Sequence, residues 1–278
     1  MDISTERFAF GKNWSRFLET INEERINEAE LSLRKMLQID NLKGKSFLDI
    51  GSGSGLFSLA AARLGAEKIF SFDYDLHSVD CTRELRQRFF PDHKNWTVEK
   101  GSVLDKQYLS HIGVYDVVYS WGVLHHTGSM WQALENTVPL VKERGYIFIA
   151  IYNDQGIISK VWTGIKKIYN KLPAITRPFY VVFIWSPFEL LMMVKQIVTG
   201  HAPWQHWIDY KKKRGMSILH DIIDWIGGYP FEVASPEQIF CFYRDRAFVL
   251  KELKTKNGMG CNEFVFIKQK INIKDGYC

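Results

Sequence analysis

Cysteine is scarce in this sequence: Cys81, Cys241, Cys261 and Cys278 are the only four, and no two form a C-x-x-C pair. A disulfide scaffold and a zinc cluster are therefore not indicated, and no bound metal is expected. The opening MDISTERFAF lacks a basic start followed by an apolar run, so no secretory signal is visible and a reducing cytoplasm is the expected setting. A clean run of apolar residues long enough to span a bilayer is also missing. The most apolar stretch, 178–200, is interrupted by Glu189 and Lys195, and Pro187 is expected to kink it. No internal repeat, low-complexity segment or recognisable RNA-binding module stands out.

What is present is the composition of an ordinary soluble globular chain, 46% hydrophobic and 24% charged over 278 residues. That length suits one core of roughly 200 residues with an insertion or an appended lobe. The net charge of +5 is unevenly spread. Between Gln155 and Gly215 ten Lys/Arg face two acids, Glu189 and Asp209, and four of the nine tryptophans lie there too, with Trp185, Trp204 and Trp207 in its second half. Such asymmetry points to a surface that meets something anionic.

Along the chain, apolar residues from Trp14 to Leu37 recur at three- and four-residue steps, which predicts an N-terminal helical extension over 1–44. From Lys45 short apolar runs alternate with amphipathic segments. Strands are expected at Ser46–Ile50, Lys68–Phe72, Trp96–Glu99, Tyr115–Ser120 and Tyr146–Ile151, with helices at Leu56–Leu64, Leu76–Phe89 and Ser129–Leu140. The alternation predicts an α/β core over 45–154, a doubly wound parallel sheet covered on both faces. The pattern breaks at Asp154, and 155–235 reads as an inserted basic and aromatic helical lobe. A helix at Glu237–Arg244, strands at Phe248–Lys254 and Asn262–Lys268, and an Asn257-Gly258 turn close the chain over 236–278. So short a connection makes that last pair antiparallel.

Four segments at carboxyl ends of the parallel strands carry chemistry. Asp49-Ile50-Gly51-Ser52-Gly53-Ser54-Gly55 follows the first strand; alternate glycines let the chain turn tightly and lay its backbone against a ligand. A dinucleotide fingerprint would need glycine at position 56, which is leucine here. Ser71-Phe72-Asp73 ends the second strand with a carboxylate suited to ribose hydroxyls. Gly101-Ser102-Val103-Leu104-Asp105 and Ser120-Trp121-Gly122-Val123-Leu124-His125-His126 leave the third and fourth.

LDIGSGSG, SFDYD, GSVLD and YDVVYSWGVLHHT resemble the successive motifs of class I S-adenosylmethionine-dependent methyltransferases, closest to the group that includes the quinone-biosynthesis methyltransferases. The resemblance covers Lys45–Ile151 closely and the closing hairpin loosely. It implies a seven-stranded sheet with the last strand antiparallel, S-adenosyl-L-methionine as cofactor and S-adenosyl-L-homocysteine as product. By the same resemblance Asp49, Gly51, Ser52, Gly53 and Gly55 would border the methionine portion. Asp73 would hold the ribose, with Tyr74 against the adenine; Ser102, Val103 and Asp105 would flank the base, and Ser120 and Trp121 would close over the sulfonium.

Other readings stand beside these. Asp105 fits equally an N-cap, and Trp121 core packing. His125 and His126 are candidates for removing an acceptor proton near neutral pH, or for packing against neighbouring backbone. Tyr152 and Asn153 end the fifth strand where a substrate would lie. His220 and Asp221 share a helical face that fits either the acceptor or a helix cap. Residues 155–215 fit a lid, a peripheral membrane contact or a homodimer surface, so the setting is cytoplasmic with a membrane-peripheral alternative. The expected function is methyl transfer to a small-molecule, lipid-linked or glycan acceptor, on oxygen. The alternatives are an RNA-base methyltransferase, which a nucleic-acid partner along Lys211–Arg214 would favour, and a non-catalytic cofactor-binding subunit.

Overall fold

The computed structural model describes residues 8, 11, 14, 18, 21–92, 94–205, 207 and 218–270. Seven strands form one sheet: β1 (Ser46–Ile50), β2 (Lys68–Asp73), β3 (Trp96–Lys100), β4 (Tyr115–Trp121), β5 (Val141–Tyr152), β6 (Phe248–Lys254) and β7 (Cys261–Lys268). Their order is β3-β2-β1-β4-β5-β7-β6, with β7 antiparallel to both its neighbours and the remaining pairs parallel. The doubly wound sheet expected from the alternation is the sheet observed.

Successive side chains of the central strands enter opposite layers, as the two-residue period requires. Phe47, Val117 and Phe148 meet α1 (Glu23–Leu37), α2 (Leu56–Arg63) and α3 (Leu76–Phe89) on one face. Leu48, Val118, Ile147 and Ile149 meet α4 (Lys106–Ile112), α5 (Met130–Thr137) and α9 (Pro236–Arg244) on the other. Both faces being covered, β1 is buried along its whole length. In α1 the buried Ile26, Ala29, Leu33 and Leu37 form one stripe, and Asn22 caps its start by accepting from the Arg25 amide.

β5 begins at Val141, five residues earlier than the apolar run suggests. The extra turn of strand is polar, so it carries no hydrophobic signal, but Lys142 pins it. Its ammonium lies 2.7 Å from the Asp116 carboxylate, which also accepts from the Ser46 amide and hydroxyl. The register shift that follows is absorbed at Arg144, which takes a left-handed φ of 60°, and at Gly145, where a Cβ would come within 2.9–3.2 Å of three carbonyls.

Between β5 and α9 the described residues include three helices, α6 (Ile157–Lys171), α7 (Arg177–Val198) and α8 (Ile218–Gly227). They share a small core of their own, Trp162, Tyr169, Ile222, Ile226 and Phe231. Lys166 is buried in it, its ammonium donating to the Trp225 carbonyl and lying over the Trp225 and Phe231 rings at 4.5 and 4.8 Å. Pro187 does not end α7. Its missing N–H would have served the Phe183 carbonyl, and the Ser186 hydroxyl reaches that carbonyl instead at 3.5 Å. By length and composition alone α7 can cross a membrane, at a mean hydropathy of 1.6, which corrects the expectation that its two charges disqualify it. Lys211–Arg214 lie outside the described residues.

Candidate active site

The turn after β1 is built from three left-handed glycines, Gly51, Gly53 and Gly55, at φ of 76°, 55° and 80°. At Gly51 the freedom is obligatory twice over, since a Cβ there would sit 2.4 Å from a methyl of Val123, in the loop leaving β4. The Gly51 and Ser52 amides donate to the Phe72 carbonyl at 2.8 and 3.1 Å, tying the turn to the end of β2. Asp73, half-buried at that end, accepts from the Gly53 amide at 3.0 Å and from the Asp75 amide at 2.9 Å. The first two sequence motifs are thus one unit, a glycine turn braced by an acid. The Ser52 hydroxyl is buried and paired with Thr82 of α3 at 2.9 Å, so it holds the turn down rather than facing outward.

Asp49 also lies beneath the turn, 2% exposed. The Trp96 indole donates to the Ser71 hydroxyl at 2.9 Å; the single Ser58 proton goes to Asp49 at 2.5 Å, so Ser71 must donate to Ser58 at 2.7 Å. Burial pushes the Asp49 carboxyl up to about 7, against the Ser58 hydrogen bond that lowers it; the nearby Asp73 charge adds to the rise. Ser58 is the one polar residue on the apolar face of LFSLAAAR, which is the sequence signal that could have found this relay.

The third and fourth motifs divide between ligand-facing and structural roles. Asp105 is the N-cap of α4, accepting from the Tyr108 amide at 3.0 Å while remaining exposed. Val103 is buried, and Ser102 accepts from the Leu104 amide at 3.2 Å. Ser120 corrects the expectation set for it: it is fully buried, its hydroxyl donating to the Ile50 carbonyl at 3.0 Å, because a serine inside a central strand needs a partner. Trp121 is 43% exposed and Tyr74 49%, so neither is core packing; two large rings stand uncovered at the carboxyl ends of β4 and β2. The Lys100 ammonium lies 6.0 Å above the Tyr74 ring.

His125 and His126 form a buried aromatic cluster with Tyr152, ring centroids 4.0–5.5 Å apart. His126 Nδ1 lies 2.6 Å from the Pro230 carbonyl and must donate to it, which makes Nε2 the acceptor nitrogen of the neutral ring. Burial holds the fully enclosed His125 well below the usual imidazole range, helped by His126 and Lys166, so it stays neutral. The half-buried Glu232 accepts from the Met130 amide, capping α5, while its own amide donates to the His125 carbonyl. Asn153 corrects its expected role. Its amide group donates to the Lys256 and Gly258 carbonyls at 3.2 and 3.3 Å and its carbonyl accepts from Asn262 at 3.1 Å, latching β5 to the closing hairpin. Asn153→Ala is therefore expected to cost about 2 kcal/mol in urea unfolding and leave cofactor affinity unchanged in calorimetry. His220 and Asp221 lie in α8; their side chains are outside the described residues.

Sequence reasoning missed what covers the turn. The Phe8 amide donates to the Tyr229 carbonyl, the Gly11 amide to the Asp75 carboxylate at 3.0 Å, and the Trp14 indole lies 3.0 Å from where a Cβ on Gly53 would stand. The N-terminal segment thus touches both the lobe and the glycine turn. Among the described residues no cluster of metal-ligating side chains occurs.

The same architecture recurs in known proteins. A family model described as a methyltransferase domain matches residues 21–197. A ribosomal protein L11 methyltransferase of Streptococcus thermophilus is 29% identical over 128 residues, 46% of this chain and 36% of that protein. One of Tolumonas auensis is 42% identical over 48 residues, 17% of this chain and 16% of that protein. The chain therefore spans only about a third, or less, of these curated relatives. Among solved structures, magnesium protoporphyrin IX methyltransferase from Synechocystis PCC 6803 with bound SAH superposes at a TM-score of 0.52 with 14% identity, over 88% of this chain and 83% of that one. An O-methyltransferase family protein from Burkholderia thailandensis does so at 0.54 with 12% identity, over 92% and 60%. At these identities the likeness is one of fold.

Proposed function

This chain belongs to the methyltransferase-domain family, and from that premise we propose that it moves a methyl group from S-adenosylmethionine to an oxygen of a small-molecule, lipid-linked or glycan acceptor. The observation that carries the reading is the braced turn, where the Gly51–Gly55 backbone and the Asp73 carboxylate meet beside the exposed rings of Tyr74 and Trp121. The residues fit an adenosyl ligand: a glycine turn with backbone free of Cβ atoms, an acid at the end of β2, and half-exposed rings for a base to pack on. The cofactor, when bound, supplies an activated methyl on a sulfonium; the protein's task is alignment and removal of the acceptor proton. His126, whose neutral tautomer carries a lone pair at Nε2, takes that proton, and Tyr152, edge-on to His126 and tilted against His125, packs the histidine pair in place.

Two experiments test this. S-Adenosylhomocysteine should raise the melting temperature of the purified protein, because a ligand that binds only the folded state stabilises it. Incubation with methyl-labelled cofactor and a fractionated cell extract should then place label in lipid, glycan or small metabolites. Label confined to protein, as the names of the curated relatives would suggest, or to RNA, would overturn the acceptor class. Binding without transfer to any fraction would leave a non-catalytic subunit. His126→Asn should lower kcat about a hundredfold with unchanged cofactor affinity; an unchanged kcat would remove the proton-transfer role.

A further inference from the structure

We propose that α6 and α7 form a docking surface for an anionic lipid bilayer, lying in its interface rather than crossing it. A globular protein buries its most apolar helix, yet α7 has no buried residue, and Phe179, Phe183, Leu190 and Val198 are 76%, 75%, 63% and 80% exposed. A helix apolar all round needs an apolar environment on every side, and the described residues cover only one side of this one. The exposure continues onto α6, where Ile157, Val161 and Ile168 fall on one face at helical spacing, with exposed Lys160, Lys167 and Lys171 along its edge.

The charge of the surroundings selects the occupant. Across 156–200 the one acid is Glu189, and the Trp207 indole donates to its carboxylate. Four exposed lysines, the three of α6 and Lys195 of α7, flank the apolar surface, against that single acid in the same stretch of sequence. A second copy of the chain is a poor match. A two-fold interface brings a patch onto its own copy and would gather two sets of these lysines at one apolar seam that supplies one acid per copy over 156–200. An anionic bilayer offers hydrocarbon for the rings and phosphate for the ammonium groups.

Crossing is ruled out by what α7 already holds. The Tyr180 hydroxyl donates to the Ile165 carbonyl at 3.1 Å, Phe188 packs on Trp162, and Val181, Ile184 and Trp185 join the core shared with α8. A spanning helix would have to abandon those contacts. That same core packs Tyr152 and Phe231, and Tyr152 contacts both histidine rings, so the bilayer surface adjoins the histidine pair. This last step, that the acceptor is drawn from the membrane, rests on the methyl-transfer reading; the docking surface does not.

Co-sedimentation of the full chain with vesicles tests the proposal. Binding is expected to mixed phosphatidylcholine–phosphatidylglycerol vesicles and to be at least about tenfold weaker to phosphatidylcholine alone. Phe179→Ser/Phe183→Ser/Leu190→Ser should abolish binding to both. Lys160→Gln/Lys167→Gln/Lys171→Gln should remove only the preference for the anionic vesicles. Because the six side chains are exposed, both variants should keep the parent's melting temperature and calorimetric affinity for S-adenosylhomocysteine, which separates this outcome from a failure of the cofactor reading. The proposal is overturned if the parent protein stays in the supernatant with both vesicle types. It is equally overturned if the serine substitutions dissolve a dimer without changing vesicle binding.

Discussion

Gly51→Ala is expected to destabilise the protein by about 3 kcal/mol and to weaken S-adenosylhomocysteine binding about a hundredfold or more. Two costs combine. A residue with a Cβ at φ 76° is strained by about 1–2 kcal/mol, and the new methyl would stand 2.4 and 2.5 Å from the two methyls of Val123. The turn has little room to give way. Its amides are held by the Phe72 carbonyl, and Gly53 is held by Asp73, so displacement at Gly51 passes directly to the acid proposed to hold the ribose. A double-mutant cycle separates the costs. Adding Val123→Ala should recover much of the steric part and leave the conformational part, because the Val123 Cβ is still 2.9 Å away. Gly164, inside α6 with nothing near its missing side chain, is the control; Gly164→Ala should stabilise by about 0.5–1 kcal/mol and leave binding alone. Normal binding by a folded Gly51→Ala protein would place the ligand elsewhere.

The sheet could be read from the sequence because each β-α repeat states its own local rule: a buried run, a turn, an amphipathic segment. Nothing beyond nearest neighbours is needed to put glycine, acid and histidine motifs at one end. What escaped depends on contacts between distant residues. Trp14 reaches Gly53 and Thr82 reaches Ser52 only once the fold exists. Ser120 sits in a motif that suggests ligand contact, yet strand periodicity turns it toward Ile50, and the motif alone carries no such direction. Asn153 reads as a substrate contact by position, but an amide at a strand end is equally able to satisfy the carbonyls of an adjoining hairpin, and does. α7 escaped for a different reason. Its apolar faces obey the rule for a core helix, whereas α6 and α8 cover one side of it and leave residues such as Phe179, Phe183 and Val198 exposed.

The buried acid beneath the turn gives the other large effect. With its carboxyl raised to about 7 in the fold from an ordinary 3.8, Asp49 is protonated in the folded state across a range where the unfolded chain has lost the proton. The sign follows from linkage. The folded state binds more protons between those two values, so this group's stability contribution is complete below about pH 4, falls as pH rises, and levels off above about 7. A shift of this size corresponds to about 4 kcal/mol across the window. His125 acts oppositely. Its folded value is depressed, so its penalty appears as pH falls below the ordinary imidazole range, and total stability mixes the two. Asp49→Asn separates them. Asparagine keeps an acceptor for Ser58 and cannot ionise, so the stability difference between variant and parent should be small near pH 4. It should grow in the variant's favour towards pH 7 and stay constant beyond. Urea unfolding at a series of pH values reads that difference directly. Parallel curves for the two proteins would mean that the carboxylate beneath the glycine turn is ionised throughout, and that the serine relay serves a charge and not a neutral acid.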